Sequence, residues 1–194
     1  MKEMKRVFLF VVVSLLLIDL SFGQFPELAI VLPSLINHDI KYDPSYFKIP
    51  YPMGDVPADR GVCTDVIIRA YRKIGIDLQK DVHEDMVSNF DKYPKRWGAK
   101  APDTNIDHRR VPNLMTFFSR HGVVLPVTNK PEDYKQGDIV CWDLGGGILH
   151  IGIITNNRRM VIHNIGYGQV LEDCVFSWKI IGHYRYYGIK KDKN

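Results

Sequence analysis

Three cysteines among 194 residues cannot staple a fold. An odd count leaves at least one thiol unpaired and excludes a small disulfide-held domain. No Cys-x-x-Cys pair and no His-Glu-x-x-His stretch occurs, so the common short zinc-binding spacings are missing. Neither a metal nor another cofactor is expected. Charge of one sign is not in excess: 26 basic residues stand against 22 acidic ones. No basic stripe stands clear of the acids around it, so nucleic acid is not an expected partner. No apolar run reaches the length of about 20 residues that a bilayer span needs. There is no internal repeat and no low-complexity segment.

What is present is an ordinary globular mixture, 45% hydrophobic and 25% charged, long enough for one domain. The first residues have a distinct layout. Lys2, Lys5 and Arg6 lead into the apolar stretch Val7 to Ile18, and Ser21-Phe22-Gly23 supplies small residues two apart. That is the pattern of a cleaved secretory signal over 1–23. It predicts a mature chain over 24–194, a single domain in the periplasm or outside the cell, with no stable membrane span and acting as a monomer.

Helices are expected first and strands after. Residues 24–60 carry six prolines, which break regular elements, although Leu28 to Leu35 suits a short helix. Apolar residues at spacings of three and four predict a helix from Thr64, stopped by Gly75. Val82 to Asn89, with Asp81 as its cap, and Pro112 to His121, ended by Gly122, read as two more. From Asp138 onward the runs Asp138 to Leu144, His150 to Thr155, Met160 to Ile165, Gln169 to Phe176 and Ile181 to Gly188 are rich in Val, Ile and Tyr. Their connections are too short for crossover helices. The expected class is α+β, with N-terminal helices packed on a mainly antiparallel sheet.

Cys63 stands where the first good helix begins. Unpaired N–H groups and the positive end of the helix dipole favour thiolate there, and the same N–H groups suit an oxyanion. A small buried residue at a helix start is the plainer alternative. Cys141 and Cys174 lie in strands beside apolar neighbours and read as packing residues. A nucleophilic thiol needs a base, and the base an orienting partner. His150 and His163 occupy successive strands joined by the Asn156-Asn157 turn, so both come from one hairpin. Strand alternation sends His163 and Asn164 to opposite faces, so only one of them can orient His150. Asp143 is the candidate if neither does. His108, His150, His163, His183 and Cys63 could converge on zinc only by long-range folding, and His38, His83 and His121 read as structural or surface residues.

Cys63 at a helix start, Gly137-Asp138 before a strand, His150-Ile151-Gly152-Ile153-Ile154 and a histidine on the next strand resemble the NlpC/p60 cysteine peptidases. The resemblance runs from about Tyr51 to Tyr187. It implies a papain-like fold and cleavage of an amide in bacterial cell-wall (peptidoglycan) peptide. Cys63 would be nucleophile, His150 base, and His163, or else Asn164, third catalytic group. It also implies a tyrosine near the oxyanion, for which Tyr51 is the match. The family's Asp-Cys-Ser-Gly is here Val62-Cys63-Thr64-Asp65, so Asp65 stands in place of a glycine, either crowding the cleft or meeting a substrate amine. The stretches 61–65, 106–113 and 182–186 more specifically resemble domain-of-unknown-function family 1287, which is grouped with these enzymes. Arg109 and Arg110 offer bidentate partners for stem-peptide carboxylates, or else belong to a solvated loop. Rivals to hydrolysis by thiol are a non-catalytic cell-wall or partner-binding module on the same fold, and a zinc amidase.

Overall fold

The computed structural model describes residues 26–155 and 159–189; the expected secretory signal, 1–23, lies outside them. Among the described residues four α-helices form: α1 (Pro26–Val31), α2 (Cys63–Lys73), α3 (Leu78–Ser88) and α4 (Val111–His121). Two very short strands, β1 (Lys41–Tyr42) and β2 (Arg60–Gly61), pair in parallel. The main sheet holds β3 (Val123–Val124), β4 (Ile139–Asp143), β5 (Leu149–Ile154), β6 (Met160–His163), β7 (Val170–Asp173) and β8 (Lys179–Arg185). Its order is β3-β8-β4-β5-β6-β7, antiparallel throughout. The expected α+β class, helices first and an antiparallel sheet after, is what the chain adopts. No helix among the described residues is long and apolar enough to cross a membrane.

Local hydrogen bonds fix the ends of α2 and the start of α3. In α2 the Val62 N–H, just outside the helix, donates to Asp65 Oδ2 at 2.7 Å, satisfying one of the orphan donors of the first turn. At its other end Gly75, with φ of +81°, donates to Arg72 O while Ile76 N–H reaches back to Tyr71 O, a closure that needs left-handed backbone. α3 begins earlier than the sequence suggests. Asp77, not Asp81, is the cap, accepting the Lys80 N–H at 3.1 Å. Asp81 instead falls inside the first turn and meets the Tyr186 hydroxyl at 3.0 Å.

Both faces of the sheet are covered. On one, α2 and α4 pack Val66, Ile67, Phe117 and Phe118 against Cys141, Ile151, Ile153 and Ile162. On the other, Val140, Trp142, Ile154 and Val161 are closed over by Tyr134, Cys174 and Val175. Double burial explains why Ile139–Trp142 and Ile151–Ile154 read as continuous apolar runs. Gly152 answers a close approach. A Cβ there would come within 2.5 Å of Val161 Cγ1 and 3.2 Å of His163 Cβ, so only glycine lets β6 lie this close to β5 beside His163.

Candidate active site

Cys63 is the first residue of α2, and α2 lies across β5. The thiol is buried, with the residue 5% exposed. Main-chain hydrogen bonds from Ile151, Thr64 and Cys63 itself favour the thiolate, but burial outweighs them. Together with the charge of Asp65, it pushes the Cys63 pKa up to about 12. The expectation that the helix N-terminus would set a low pKa is therefore corrected: loss of hydration is the larger effect at this depth. Ile151 follows His150 directly, so the sulfur meets β5 at the peptide next to the imidazole. No hydrogen bond joins Cys63 to His150 among the described residues.

His150 and His163 do meet. His150 Nε2 lies 2.8 Å from His163 Nδ1, and His163 Nε2 lies 2.9 Å from Glu172 Oε2. Trp142 and Trp178 flank His150 at ring distances of 5.7 and 6.0 Å. Burial first, then the neighbouring His163, lowers the His150 pKa to about 3. The His163 pKa is lowered too, burial outweighing the hydrogen bond and charge of Glu172. Two neutral imidazoles carry one proton each, and a carboxylate only accepts. We therefore assign the His163 proton to Nε2, facing Glu172, and the His150 proton to Nε2, facing His163 Nδ1. This leaves His150 Nδ1 with its lone pair. Nothing in the sequence marked Glu172, because it is a solvent-edge glutamate with no motif around it.

Asn164 turns the other way, as alternation requires. Its Nδ2 donates to Gly61 O at 3.3 Å and its Oδ1 accepts the Gly166 N–H at 3.0 Å, tying the end of β6 to the end of β2, two residues before Cys63. Asp143 stays at its hairpin, accepting the Gly145 N–H.

Beside Cys63 opens a cleft of about 500 Å³, lined by Tyr42, Trp97, Arg110, Ile148 and Leu149 among others. Asp65 and Arg109 do not offer free charges to it. The Arg109 guanidinium holds both Asp65 oxygens at 3.0 Å and donates to the Ser45 and Asp43 carbonyls, with both side chains almost fully buried. Asp65 therefore closes α2 and anchors Arg109, and neither a substrate amine nor a substrate carboxylate has a place on them. Arg110 is different: it lines the cleft and stacks on Trp97 at 4.6 Å.

Tyr51 is not at the cleft. Its ring packs edge-on against His83 at 5.3 Å, over α3 and its acidic residues. The tyrosine beside Cys63 is Tyr42, whose hydroxyl pKa rises to about 12, chiefly through burial, then through Cys63 and Asp65, with Arg109 opposing. β1 brings it there by pairing with Gly61, two residues before the cysteine. Two-residue strands in a proline-rich stretch leave no periodic signal, so this neighbour was not legible.

Of the remaining histidines, His38 is exposed and the others are structural. His83 bonds Asp107 and His183 bonds Asp138, and His121 pairs with Asp85. His108 is buried, its Nδ1 without a hydrogen-bond partner among the described residues, and burial lowers its pKa to about 3. One group of potential metal ligands converges among the described residues: His163, Glu172 and Cys174.

Comparison with known proteins places these residues in a family. The chain is 53% identical over 157 residues to "Uncharacterized protein YijF" of Escherichia coli strain K12, covering 78% of this chain and 77% of that protein. It is 29% identical over 96 residues to "Probable endopeptidase p60" of Listeria seeligeri, covering 39% of this chain and 18% of that one. Among solved structures, NlpC1 from Trichomonas vaginalis superposes with a TM-score of 0.46 at 16% identity, over 84% of this chain and 44% of that one. The family model "Domain of unknown function (DUF1287)" matches residues 33–186, which include the cleft, both hairpin histidines and Glu172, and the chain belongs to that family.

Proposed function

We propose that the protein is a cysteine hydrolase that cleaves an amide bond in cell-wall peptide, outside the cytoplasm. The observation that carries this reading is Cys63 in the wall of the cleft, its sulfur hydrogen-bonded by the main chain of Ile151, the residue after His150, whose ring is bonded to His163. β6 pairs with β5 only at Ile153 and Ile154, so Cys63 reaches the free edge of β5 at Ile151. From there it attacks the amide carbonyl carbon while its proton passes around that edge to the lone pair on His150 Nδ1. Because thiol and imidazole are both neutral at rest, attack and proton transfer occur together rather than from a preformed ion pair. The oxyanion is held by the Cys63 N–H and by the Tyr42 hydroxyl, which takes the part first expected of Tyr51. His150 then returns the proton to the leaving amine, and water hydrolyses the thioester. His163, held by Glu172, keeps His150 in the tautomer that can accept. Arg110, presented on Trp97, meets a substrate carboxylate.

A second reading has its own observation. The thiol is buried and protonated, with no hydrogen bond to His150, which suits a cleft that binds wall peptide without turnover. Incubating the chain with defined wall fragments and weighing the products separates the two. Hydrolysis predicts peptide products that vanish with Cys63→Ala. Fragments bound intact by both forms would favour the binding module.

A further inference from the structure

One cluster on the far side of the sheet from α2 joins an imidazole, a thiol and a carboxylate. Alternation along β7 sends Val170, Glu172 and, just past its end, Cys174 to one face. The pairing of Val161 with Glu172 and of His163 with Val170 makes this the face of His163. The Cys174 sulfur lies 3.5 Å from His163 Nε2, and Glu172 Oε2 lies 2.9 Å from the same nitrogen. We propose that His163 Nε2, Glu172 and Cys174 Sγ form a three-ligand site for a divalent cation of the zinc class, with the fourth position open to water.

The geometry supports the donor set. Tetrahedral zinc with bonds of about 2.3 Å to sulfur and about 2.05 Å to nitrogen holds the two roughly 3.5 Å apart, and that is the separation present. Nitrogen and carboxylate oxygen would sit about 3.4 Å apart on the same ion, so Glu172 must withdraw slightly. Its side chain is 45% exposed, which leaves it free to move and gives the ion an entry path. A thiolate with an imidazole and one carboxylate selects zinc-like ions over calcium or magnesium. His150, 2.8 Å from the other ring nitrogen, is the outer partner that orients a ligating histidine. Asp173 does not compete, because Arg159 holds it at 3.0 Å.

Binding has a defined proton balance. The Cys174 thiol loses its proton to solvent as the sulfur–metal bond forms. The metal takes the lone pair at His163 Nε2, so that ring's proton sits on Nδ1 and is donated to His150 Nε2. His150 must then carry its own proton on Nδ1. That is the nitrogen which accepts the thiol proton in the proposed hydrolysis, so the metal and the working tautomer exclude each other. This consequence, inhibition by the cation, rests on the hydrolase reading; the site itself does not.

Cobalt(II) titration of the full chain carrying Cys63→Ser tests the site without the cleft thiol. One equivalent should bind with a thiolate-to-cobalt absorption band. The band should disappear in a further Cys174→Ala variant, and zinc should displace the cobalt. His150→Ala should weaken binding about 10- to 100-fold, as loss of an outer partner does. Absence of the band, or a band that survives Cys174→Ala in protein whose circular dichroism is unchanged, would overturn the proposal. Zinc inhibition of wall-fragment cleavage, read on the unsubstituted chain, follows only if cleavage is seen. Lack of cleavage with the cobalt band present would count against the hydrolase reading alone.

Discussion

At Cys63 two electrostatic effects of opposite sign act on one sulfur. The helix start was legible from the apolar spacing after Thr64, but depth was not, because depth depends on β5 arriving from ninety residues away. With the thiol pKa pushed up to about 12, the thiolate fraction rises about tenfold per pH unit across the neutral and mildly alkaline range. Alkylation of Cys63 by iodoacetamide, mapped by peptide mass, should climb without levelling from pH 7 to pH 10. A plateau by pH 8 would mean that the helix N-terminus outweighs burial. The arginine pair makes a second test at this scale. Side by side in sequence they look interchangeable, yet Arg109 neutralises a buried carboxylate and Arg110 faces the cleft. Arg109→Ala strands Asp65 and should cost about 3–5 kcal/mol in urea denaturation. Arg110→Ala should change stability by less than about 0.5 kcal/mol while weakening binding of wall fragments. Equal effects on stability would contradict the division of roles.

Strands and helices were readable where periodicity was long and lost where elements were short. The five sheet strands from Ile139 onward follow their apolar runs, and α2 and α4 begin within a residue of their predicted starts. The start of α3 is ambiguous in sequence, because Asp77 and Asp81 both suit a cap; Asp77 takes it, and Asp81 turns to Tyr186. β1 and β2, two residues each, had no pattern to read, and Tyr42 was lost with them in favour of Tyr51. The hairpin of β5 and β6 depends on one glycine. Gly152→Ala puts a methyl 2.5 Å from Val161 Cγ1, so β6 must move away and carry His163 with it. Overpacking of this kind costs about 1–3 kcal/mol. The proton signal of a bonded His150–His163 pair, followed by NMR, should weaken or shift in step with that loss. An unchanged signal would show that β6 can yield without disturbing the pair.

Over the whole molecule, His108, His150 and His163 are buried in neutral form, with pKa values below the 6.5 of an exposed histidine. In the unfolded chain they bind protons near pH 6.5, whereas in the folded chain all three take protons only at lower pH, His108 and His150 only near pH 3. The unfolded state thus binds more protons in this window, and stability is lost as pH falls below about 6.5. The urea midpoint should decline steadily from pH 7 to pH 4, and His108→Gln, which touches no part of the candidate site, should flatten that slope. A midpoint constant down to pH 4 would show that these histidines are hydrated. The same neutrality bears on function, since a base already unprotonated across this range needs no ion pair to act. In the proposed hydrolysis the Cys63 sulfur becomes acylated. Rapid acid quench of the chain with a defined wall peptide, followed by intact and peptide mass measurement, would trap that acyl group. A transient peptide-derived acyl group should appear on Cys63, with cleaved product accumulating and both lost in Cys63→Ala. Cleavage that persists in Cys63→Ala, or a wall peptide bound yet never attached or cut, would contradict acylation of Cys63.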